Sequence, residues 1–350
     1  METPQLDPFV TLVGGYGSPY SLKMRGVLRY RRIPFRWVVR NSPDDSGIPE
    51  VPVAIIPVIA FHVDDGYRDA IVDSSPQIMR LEEEVSGRSL VPADPVVAFL
   101  DHLIEDYGDE WVTKIMYHYR WHHPYEAAID KAGTLLPLMS DNQLSPEDLA
   151  ARKDFITNRQ MGRTALVGST DQNRPIIESS HVRLLHIMNE HLTDHRFLLG
   201  SRPGRGDFGI FGQFTQLCFW EPDSAAVHAV EGPRTVMWAY QLDDLSSLEV
   251  DGDTGWFGRE SLPATTGALL TEIGATYVPF MVANARALQA GADEVVVDIL
   301  GDEYRQGPFP YQGKCLMWLR EAYAALSDSD RAAVDSLLDG TGCEQLVAQA

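Results

Sequence analysis

The sequence contains few cysteines, and none of them is placed for pairing. Cys218, Cys315 and Cys343 are the only cysteines among 350 residues. Their wide spacing fits neither a disulfide framework nor a Cys-x-x-Cys motif, so the chain suits a reducing compartment. The sequence also lacks an apolar leader introduced by Arg or Lys, which a secretory signal would have. These absences together predict a cytoplasmic protein.

Positive charge is scarce as well. The chain has 29 Lys and Arg against 50 Asp and Glu, which gives a net charge of −21. Such an acidic surface repels nucleic acids and anionic membranes, so we expect neither as a partner. The most apolar stretch, residues 267–285, carries one charged residue, Glu272. Thr271, Pro279 and Asn284 within it favour a buried helix of a helical bundle over a membrane span.

The histidines do not form a clear metal motif. His118 and His122 lie four residues apart on a predicted helix, a spacing that lets two side chains share one metal ion. No Glu follows the first histidine, and the aromatic neighbours Tyr117, Tyr119 and Trp121 favour packing. We therefore predict no metal site.

Length and apolar content predict two domains. A chain of 350 residues with 44% hydrophobic content is able to bury a large core. Residues 1–88 show the pattern strand, helix, strand, loop, two strands and helix, whereas residues from about Asp94 onward show helical patterns. The segment 87–92 is the predicted linker. We expect an α+β protein with an α/β domain over 1–88 and an all-helical domain over 92–350.

A glycine-rich loop follows the first predicted strand. It reads Gly15-Tyr16-Gly17-Ser18-Pro19-Tyr20-Ser21. Serine is a favoured N-cap and proline suits the first helical position, so Ser18 is predicted at a helix N-terminus. That end of a helix favours an anion, and the Ser18 hydroxyl could donate a hydrogen bond to a bound thiolate. The alternative is a plain helix cap. Because serine stands at both Ser18 and Ser21, dithiol exchange at this loop is excluded.

Two further segments place proline at unusual points. Pro57 lies inside the apolar run 53–61, where a cis Ile56–Pro57 bond would turn backbone groups toward a ligand. Asp73-Ser74-Ser75-Pro76 precedes an amphipathic helix, for which Ser75 is the predicted N-cap. Because the serine is doubled, an alignment shifted by one residue is the alternative.

Together these segments, from Phe9 to about Val85, resemble the N-terminal, thioredoxin-like domain of the glutathione transferases. The stretch 196–208 resembles the signature that opens a central helix of their all-helical second domain. Gly204 stands where the family has Ser or Thr, so the side-chain cap of that helix is lost. The resemblance implies an enlarged, divergent member of the superfamily with a thioredoxin-like domain followed by an enlarged all-α domain. Members of this family are commonly homodimers, so a homodimer is expected.

The resemblance also implies that glutathione is a co-substrate. Its thiol would be activated for attack on a small electrophilic substrate. In this serine-type loop Ser18 would stabilise the thiolate, and Tyr16 is the alternative hydroxyl. Ile56 and Pro57 would form the cis-proline step against the bound peptide.

The ends of glutathione would be held by other residues. Asp73, Ser74 and Ser75 fall where the family binds the γ-glutamyl end. The loop 41–52 is acidic and contains no Lys or Arg, so Arg40 is the residue left to hold the glycine carboxylate.

The chain departs from the family pattern in its second half. The central helix comes later than in ordinary members, and the segments 134–169 and 248–350 have no counterpart. The segment 307–315, with two prolines around an aromatic residue, predicts a packed element or a wall at the domain interface. These departures leave two alternatives open: a catalytically reduced binding or scaffolding protein, and a glutathione-dependent isomerase or dehalogenase.

Overall fold

The N-terminal part is a four-stranded mixed sheet with two helices. The computed structural model describes residues 9–348. In this part the elements are β1 Val10–Gly14, α1 Pro19–Tyr30, β2 Phe35–Val39, β3 Val58–Val63, β4 Gly66–Val72 and α2 Ser74–Glu84. The strand order is β2-β1-β3-β4; β1 is parallel to β2 and antiparallel to β3, and β3 is antiparallel to β4. The predicted thioredoxin-like fold is confirmed.

The helix α1 begins as its sequence predicts. Ser18 occupies the N-cap, its hydroxyl accepts a hydrogen bond from the N–H of Ser21, and Pro19 is the first helical residue. Apolar residues along α1 are buried, including Met24, Val27 and Leu28. The helix therefore closes one face of the sheet, with its N-terminus next to the end of β1.

The rest of the chain is mainly helical. After Pro95 the elements are α3 Pro95–Tyr107, a π-helical turn Gly108–Val112, α4 Thr113–Trp121, α5 Glu126–Ser140, α6 Pro146–Met161, a 3₁₀ turn Ala165–Val167, α7 Arg174–Asp194, α8 Arg205–Phe219, α9 Pro222–Glu231, α10 Pro233–Asp243, α11 Ala264–Ala275, α12 Tyr277–Ala290, β5 Val295–Ile299, β6 Asp302–Gln306, α13 Pro310–Ala324, α14 Asp328–Leu338 and α15 Glu344–Val347. The expected helical second part is confirmed, except that the antiparallel hairpin β5–β6 interrupts it. In β5, Val295 and Ile299 are buried whereas Val296 and Asp298 are exposed, as is typical of a strand with one face exposed. The exact domain boundary, 88 against 92, stays a prediction.

The apolar stretch 267–285 forms two helices rather than one. The chain breaks at Thr276 between α11 and α12, and both helices are largely buried. Within residues 9–348, no helix combines the length and the apolar composition needed to cross a membrane.

The helix α8 is the centre of the molecule. All of its residues from Arg205 to Cys218 are buried, and it packs against α1 and α3. Its glycines allow this close approach: a Cβ on Gly212 would lie 2.8 Å from the carbonyl oxygen of Pro19, and one on Gly209 would lie 2.9 Å from that of Glu105. The late helices α13 and α14 pack on α3, so the C-terminal segment is part of the same core.

The cap of α8 is supplied from another helix. Gly204 has no side chain to offer, as predicted, but Asp101 of α3 accepts hydrogen bonds from the N–H groups of Arg205, at 3.1 Å, and Gly206, at 2.9 Å. Asp207 accepts from the N–H of Gly204 at 2.9 Å. The first-turn N–H groups of a helix need such partners when they are buried. The missing side-chain cap is thus replaced by a carboxylate of α3.

Candidate functional site

A cavity of about 300 Å³ lies where the N-terminal domain meets the helical part. One side is formed by the end of the β2–β3 loop and the start of α2, which contribute Ile56, Pro57, Asp73, Ser74 and Ser75. The other sides come from α3, α4, the hairpin and α13. Five of the residues predicted from the sequence therefore line one cavity. The remaining three, Tyr16, Ser18 and Arg40, do not line it.

The predicted cis-proline step is present. The Ile56–Pro57 peptide bond is cis. The carbonyl of Pro57 accepts a hydrogen bond from Nε2 of Gln77 at 2.9 Å, and the same amide donates to the carbonyl of Ile71 at 2.9 Å. Gln77 is fully buried in α2, so it fixes the position of α2 against this turn.

The helix α2 starts two residues earlier than Ser75 as N-cap would place it. The helix begins at Ser74, and Asp73, not Ser75, occupies the N-cap position. Asp73 has φ of 78° and makes no side-chain cap, because its carboxylate instead accepts a hydrogen bond from the Tyr311 hydroxyl at 2.7 Å. Within residues 9–348, no group accepts a hydrogen bond from the N–H of Ser74 or Ser75. This helix end therefore retains free donors.

The serine hydroxyls at this helix end are held by a buried ion cluster. Lys23 of α1 contacts Glu105 at 2.7 Å and Asp109 at 2.5 Å. Its ammonium also donates to the Ser74 hydroxyl at 3.2 Å, and the Ser75 hydroxyl donates to Glu105 at 3.0 Å. Burial alone would raise the pKa of Glu105, but the charges of Lys23 and Arg205 lower it to about 2.

Acidic side chains dominate the helical side of the cavity. We call Asp106, Asp109 and Glu110 the acidic wall; all three line the cavity, Asp109 and Glu110 are buried, and Asp106 is half-buried. Burial raises the pKa of Asp106 to about 7, in spite of a hydrogen bond from the Tyr277 hydroxyl. Burial likewise raises the pKa of Asp109, against the opposing charge of Lys23, and that of Glu110.

A buried lysine stands at the same side. Lys114 of α4 lines the cavity and donates to Oε1 of Gln306 at 2.7 Å and to the carbonyl of Val167 at 3.3 Å. Burial lowers the pKa of Lys114 to about 7, because the nearby Glu110 only partly offsets the loss of hydration. Sequence reasoning missed this residue, since nothing local marks a lysine in α4 as buried.

The loop that holds Ser18 is covered by the helix α5. The N–H of Gly17 donates to the sulfur of Met139 at 3.2 Å, and a Cβ on Gly17 would collide with Leu136. On the other side, Arg120 donates to the carbonyl of Gly17 at 2.7 Å. In this structure the Ser18 hydroxyl therefore acts as a helix cap beneath α5, and its catalytic role stays a prediction.

Tyr16 and Arg40 also lie away from the cavity. Tyr16 is 41% exposed and packs against Trp37, with ring centres 5.6 Å apart. Arg40 forms an ion pair with Asp45 at 3.2 Å within its own loop. A glycine carboxylate would have to compete with Asp45 for this guanidinium.

Tyr20 and the proline-flanked segment complete the cavity. The Tyr20 hydroxyl donates to the carbonyl of Asp109 at 2.7 Å. Phe309, Tyr311 and Gln312 form another part of the lining. The proline pattern of 307–315 was the only signal for them, and its interpretation as a wall at the interface agrees with their position. No group of metal-ligating side chains suited to hold an ion occurs within residues 9–348.

The raised pKa of Asp106 makes the stability of the protein depend on pH, and the variant Asp106→Asn tests this. Because burial raises the pKa of Asp106 from 3.8 to about 7, folding takes up a proton there. The stability that depends on this proton is present below about pH 4 and is lost as the pH rises through about 7. We expect wild type to lose stability relative to Asp106→Asn over this range, by at most about 1.4 kcal/mol per pH unit. Urea titrations at several pH values measure the difference, and parallel curves for the two proteins would contradict it.

The fold and the cavity define a protein with a thioredoxin-like domain whose cis-proline turn faces a helical partner region. Residues 12–89 match a family described as glutathione S-transferase, N-terminal domain. This match assigns residues 12–89 to that domain family and does not extend to the helical part. No curated protein sequence matches the chain.

Several solved structures share the fold remotely. A glutathione S-transferase from Methylobacterium radiotolerans, in complex with glutathione sulfonate, is 17% identical with a TM-score of 0.39, over 73% of this chain and 94% of that chain. A glutathione transferase family member from Pseudomonas fluorescens, with two glutathione bound, is 13% identical with a TM-score of 0.43, over 69% and 95%. A glutathione transferase from Phanerochaete chrysosporium, in complex with oxidized glutathione, is 14% identical with a TM-score of 0.39, over 67% and 90%. The assignment of the N-terminal domain rests on residues 12–89 alone and not on these similarities.

Proposed function

We propose that the protein is a glutathione-dependent enzyme that presents the thiolate of glutathione to a small electrophile. The observation that supports this most directly is the cavity itself. It joins the cis Ile56–Pro57 bond to the start of α2, with its free N–H groups, in one enclosed space. A volume of about 300 Å³ is at the lower end of small-molecule sites, which measure about 300–1,000 Å³.

The start of α2 suits the γ-glutamyl end of glutathione. The N–H groups of Ser74 and Ser75 point from a helix N-terminus, which favours a carboxylate. Asp73 supplies an acceptor for the neighbouring ammonium group, in exchange for its hydrogen bond with Tyr311. Both charges of an amino-acid headgroup thus find an opposite partner within three consecutive residues.

The thiol chemistry depends on the N-terminus of α1. A free thiol has a pKa near ~8.5, so only a small fraction is ionised at neutral pH. Ser18, at this helix end, is the proposed donor to the thiolate. Contact between the Ser18 hydroxyl and the thiolate requires α5 to move, because Met139 of α5 covers the loop by its contact with Gly17.

A shift in thermal unfolding on addition of glutathione tests the binding step. At a hundredfold excess over Kd, a ligand stabilises the folded state by about 2.7 kcal/mol, which corresponds to several degrees. We expect Asp73→Asn to reduce the shift. The control Asp65→Asn makes the same chemical change at an exposed turn between β3 and β4, and it should leave the shift intact. No shift in wild type at saturating glutathione contradicts the proposal.

A second candidate function is a binding protein that has lost the chemistry. The observation that favours it is the cover over the Ser18 loop, where Leu136 and Met139 contact Gly17. The two functions differ in turnover. With an activated aryl halide, the enzyme forms a thioether between the glutathione sulfur and the aryl carbon, and the carbon–halogen bond breaks to release a halide ion. Ser18→Ala slows this reaction. A binding protein shows the glutathione shift without any product above the uncatalysed rate.

A further inference from the structure

We propose that this cavity binds a small organic cation, an alkyl or aryl amine whose ammonium group lies against the acidic wall. The inference names the class of the second substrate, and for its chemistry it rests on the proposed function. The binding itself does not require glutathione. Charge, unpartnered acceptors and the apolar lining each support it.

The charges around the cavity do not balance. The ammonium group of Lys23 is already shared by Glu105 and Asp109. Lys114 is directed at two neutral oxygens, those of Gln306 and Val167. Within residues 9–348, no Lys or Arg lies within ion-pair distance of three cavity carboxyls, which are those of Asp73, Asp106 and Glu110. A bound cation would pair with these carboxyls and favour their ionised forms, against the burial that raises the pKa of Asp106 and of Glu110.

The cavity also contains buried acceptors without donors. Oδ1 of Asp109 and Oε1 of Gln312 have no hydrogen-bond partner, and the two residues are only 5% and 2% exposed. Both residues line the cavity. A buried polar atom left unpaired costs about 1–3 kcal/mol, so these atoms favour a ligand rich in N–H groups. Nε2 of Gln306 is unpaired too, and it leaves room for one acceptor on the same ligand.

The apolar part of the cavity lining indicates that the ligand also has an apolar group. Ile56, Phe309 and Trp318 contribute apolar surface, and the exposed side chains of Ile55 and Leu166 extend it. Hydrophobic surface of this kind is stabilised when an apolar group covers it. An ammonium group on an apolar body matches the acidic wall and this surface together, whereas a polyanion or an apolar neutral molecule matches only part of the cavity.

Calorimetric titration of the full chain with benzylamine and with benzyl alcohol, both without glutathione, tests the inference. The two probes share their shape and differ in charge. We expect benzylamine to bind at least about tenfold more tightly than benzyl alcohol, equivalent to about 1.4 kcal/mol. Glu110→Gln should weaken benzylamine by a similar factor and leave benzyl alcohol unchanged. Glu321→Gln, at an exposed position of α13 outside the cavity, is the matched control.

Some outcomes would overturn the inference. Equal affinity for the two probes, no binding of benzylamine, or an unchanged affinity in Glu110→Gln would each do so. Asp106→Asn provides a second test at the same wall if Glu110→Gln does not fold. If glutathione raises the thermal unfolding midpoint but the amine does not bind, only this inference is contradicted. If the amine binds but glutathione leaves the midpoint unchanged, only the proposed function is contradicted.

Discussion

Replacing Lys23 with Met is expected to lower the free energy of unfolding by about 3–5 kcal/mol, the range for a buried ion pair that loses one partner. Lys23 is fully buried and contacts Glu105 at 2.7 Å and Asp109 at 2.5 Å. Burial by itself would lower the pKa of Lys23, but the charges of Asp109 and Glu105 raise it above the ordinary value. The variant leaves both carboxyl groups in the interior without that cation. Urea unfolding followed by circular dichroism measures the loss.

A compensated variant separates charge from packing. Lys23→Met combined with Glu105→Gln and Asp109→Asn removes the charges together, so it should recover much of the lost stability. Neutral replacement of a complete buried cluster is often close to neutral in energy. If the triple variant is no more stable than Lys23→Met, the electrostatic explanation is wrong.

The same cluster couples the two parts of the molecule. Lys23 belongs to α1, Ser74 and Ser75 to α2, and Glu105 to α3. The start of α2 is thereby held by residues of both the thioredoxin-like domain and the helical region. We expect the cavity to lose its shape when this cluster is broken, and therefore expect Lys23→Met to weaken ligand binding as well as stability.

Local signals in the sequence predicted the local structure well. The Ser18-Pro19 cap, the cis Ile56–Pro57 bond and the helix that follows Asp73 are all present. Each depends on the backbone preference of proline or on a side chain within a few residues. The start of α2 was misplaced by two residues, because adjacent serines suggest a cap and neither of them is the N-cap. Asp73 occupies that position, and the Tyr311 hydroxyl, which is 238 residues away in sequence, holds its carboxylate.

Long-range contacts account for what the sequence did not predict. The residues of the acidic wall occur in the stretch Glu105-Asp106-Tyr107-Gly108-Asp109-Glu110, which has the composition of an exposed helix. They are buried or half-buried because α8, α13 and Lys23 surround them. The cover of the Ser18 loop comes from α5, which lies more than 100 residues later in the sequence. Periodicity and motif spacing describe neighbours along the chain, so neither feature has a local signature.

The second large loss of stability is expected when the N-terminal cap of α8 is removed. Asp101→Ala should lower the free energy of unfolding by about 3–5 kcal/mol, because Asp101 is 1% exposed and pairs with Arg205. It would also leave the N–H groups of Arg205 and Gly206 without their acceptor. Because α8 is the centre of the core, fraying of its first turn would affect both parts of the molecule.

Position 204 should then respond to serine in opposite ways in two backgrounds. In wild type, a Cβ on Gly204 would lie 2.9 Å from Cγ of Asp101 and closer still to its Oδ1, so Gly204→Ser is expected to destabilise by about 1–3 kcal/mol. In Asp101→Ala that space is empty, and the serine hydroxyl can cap the free N–H groups, which should stabilise by about 1 kcal/mol. Urea unfolding of the four proteins measures both effects. If Gly204→Ser changes the free energy of unfolding equally in both backgrounds, the explanation that Asp101 replaces the cap is wrong. The effect of serine reverses only if the Asp101 carboxylate occupies the space that the serine hydroxyl would take.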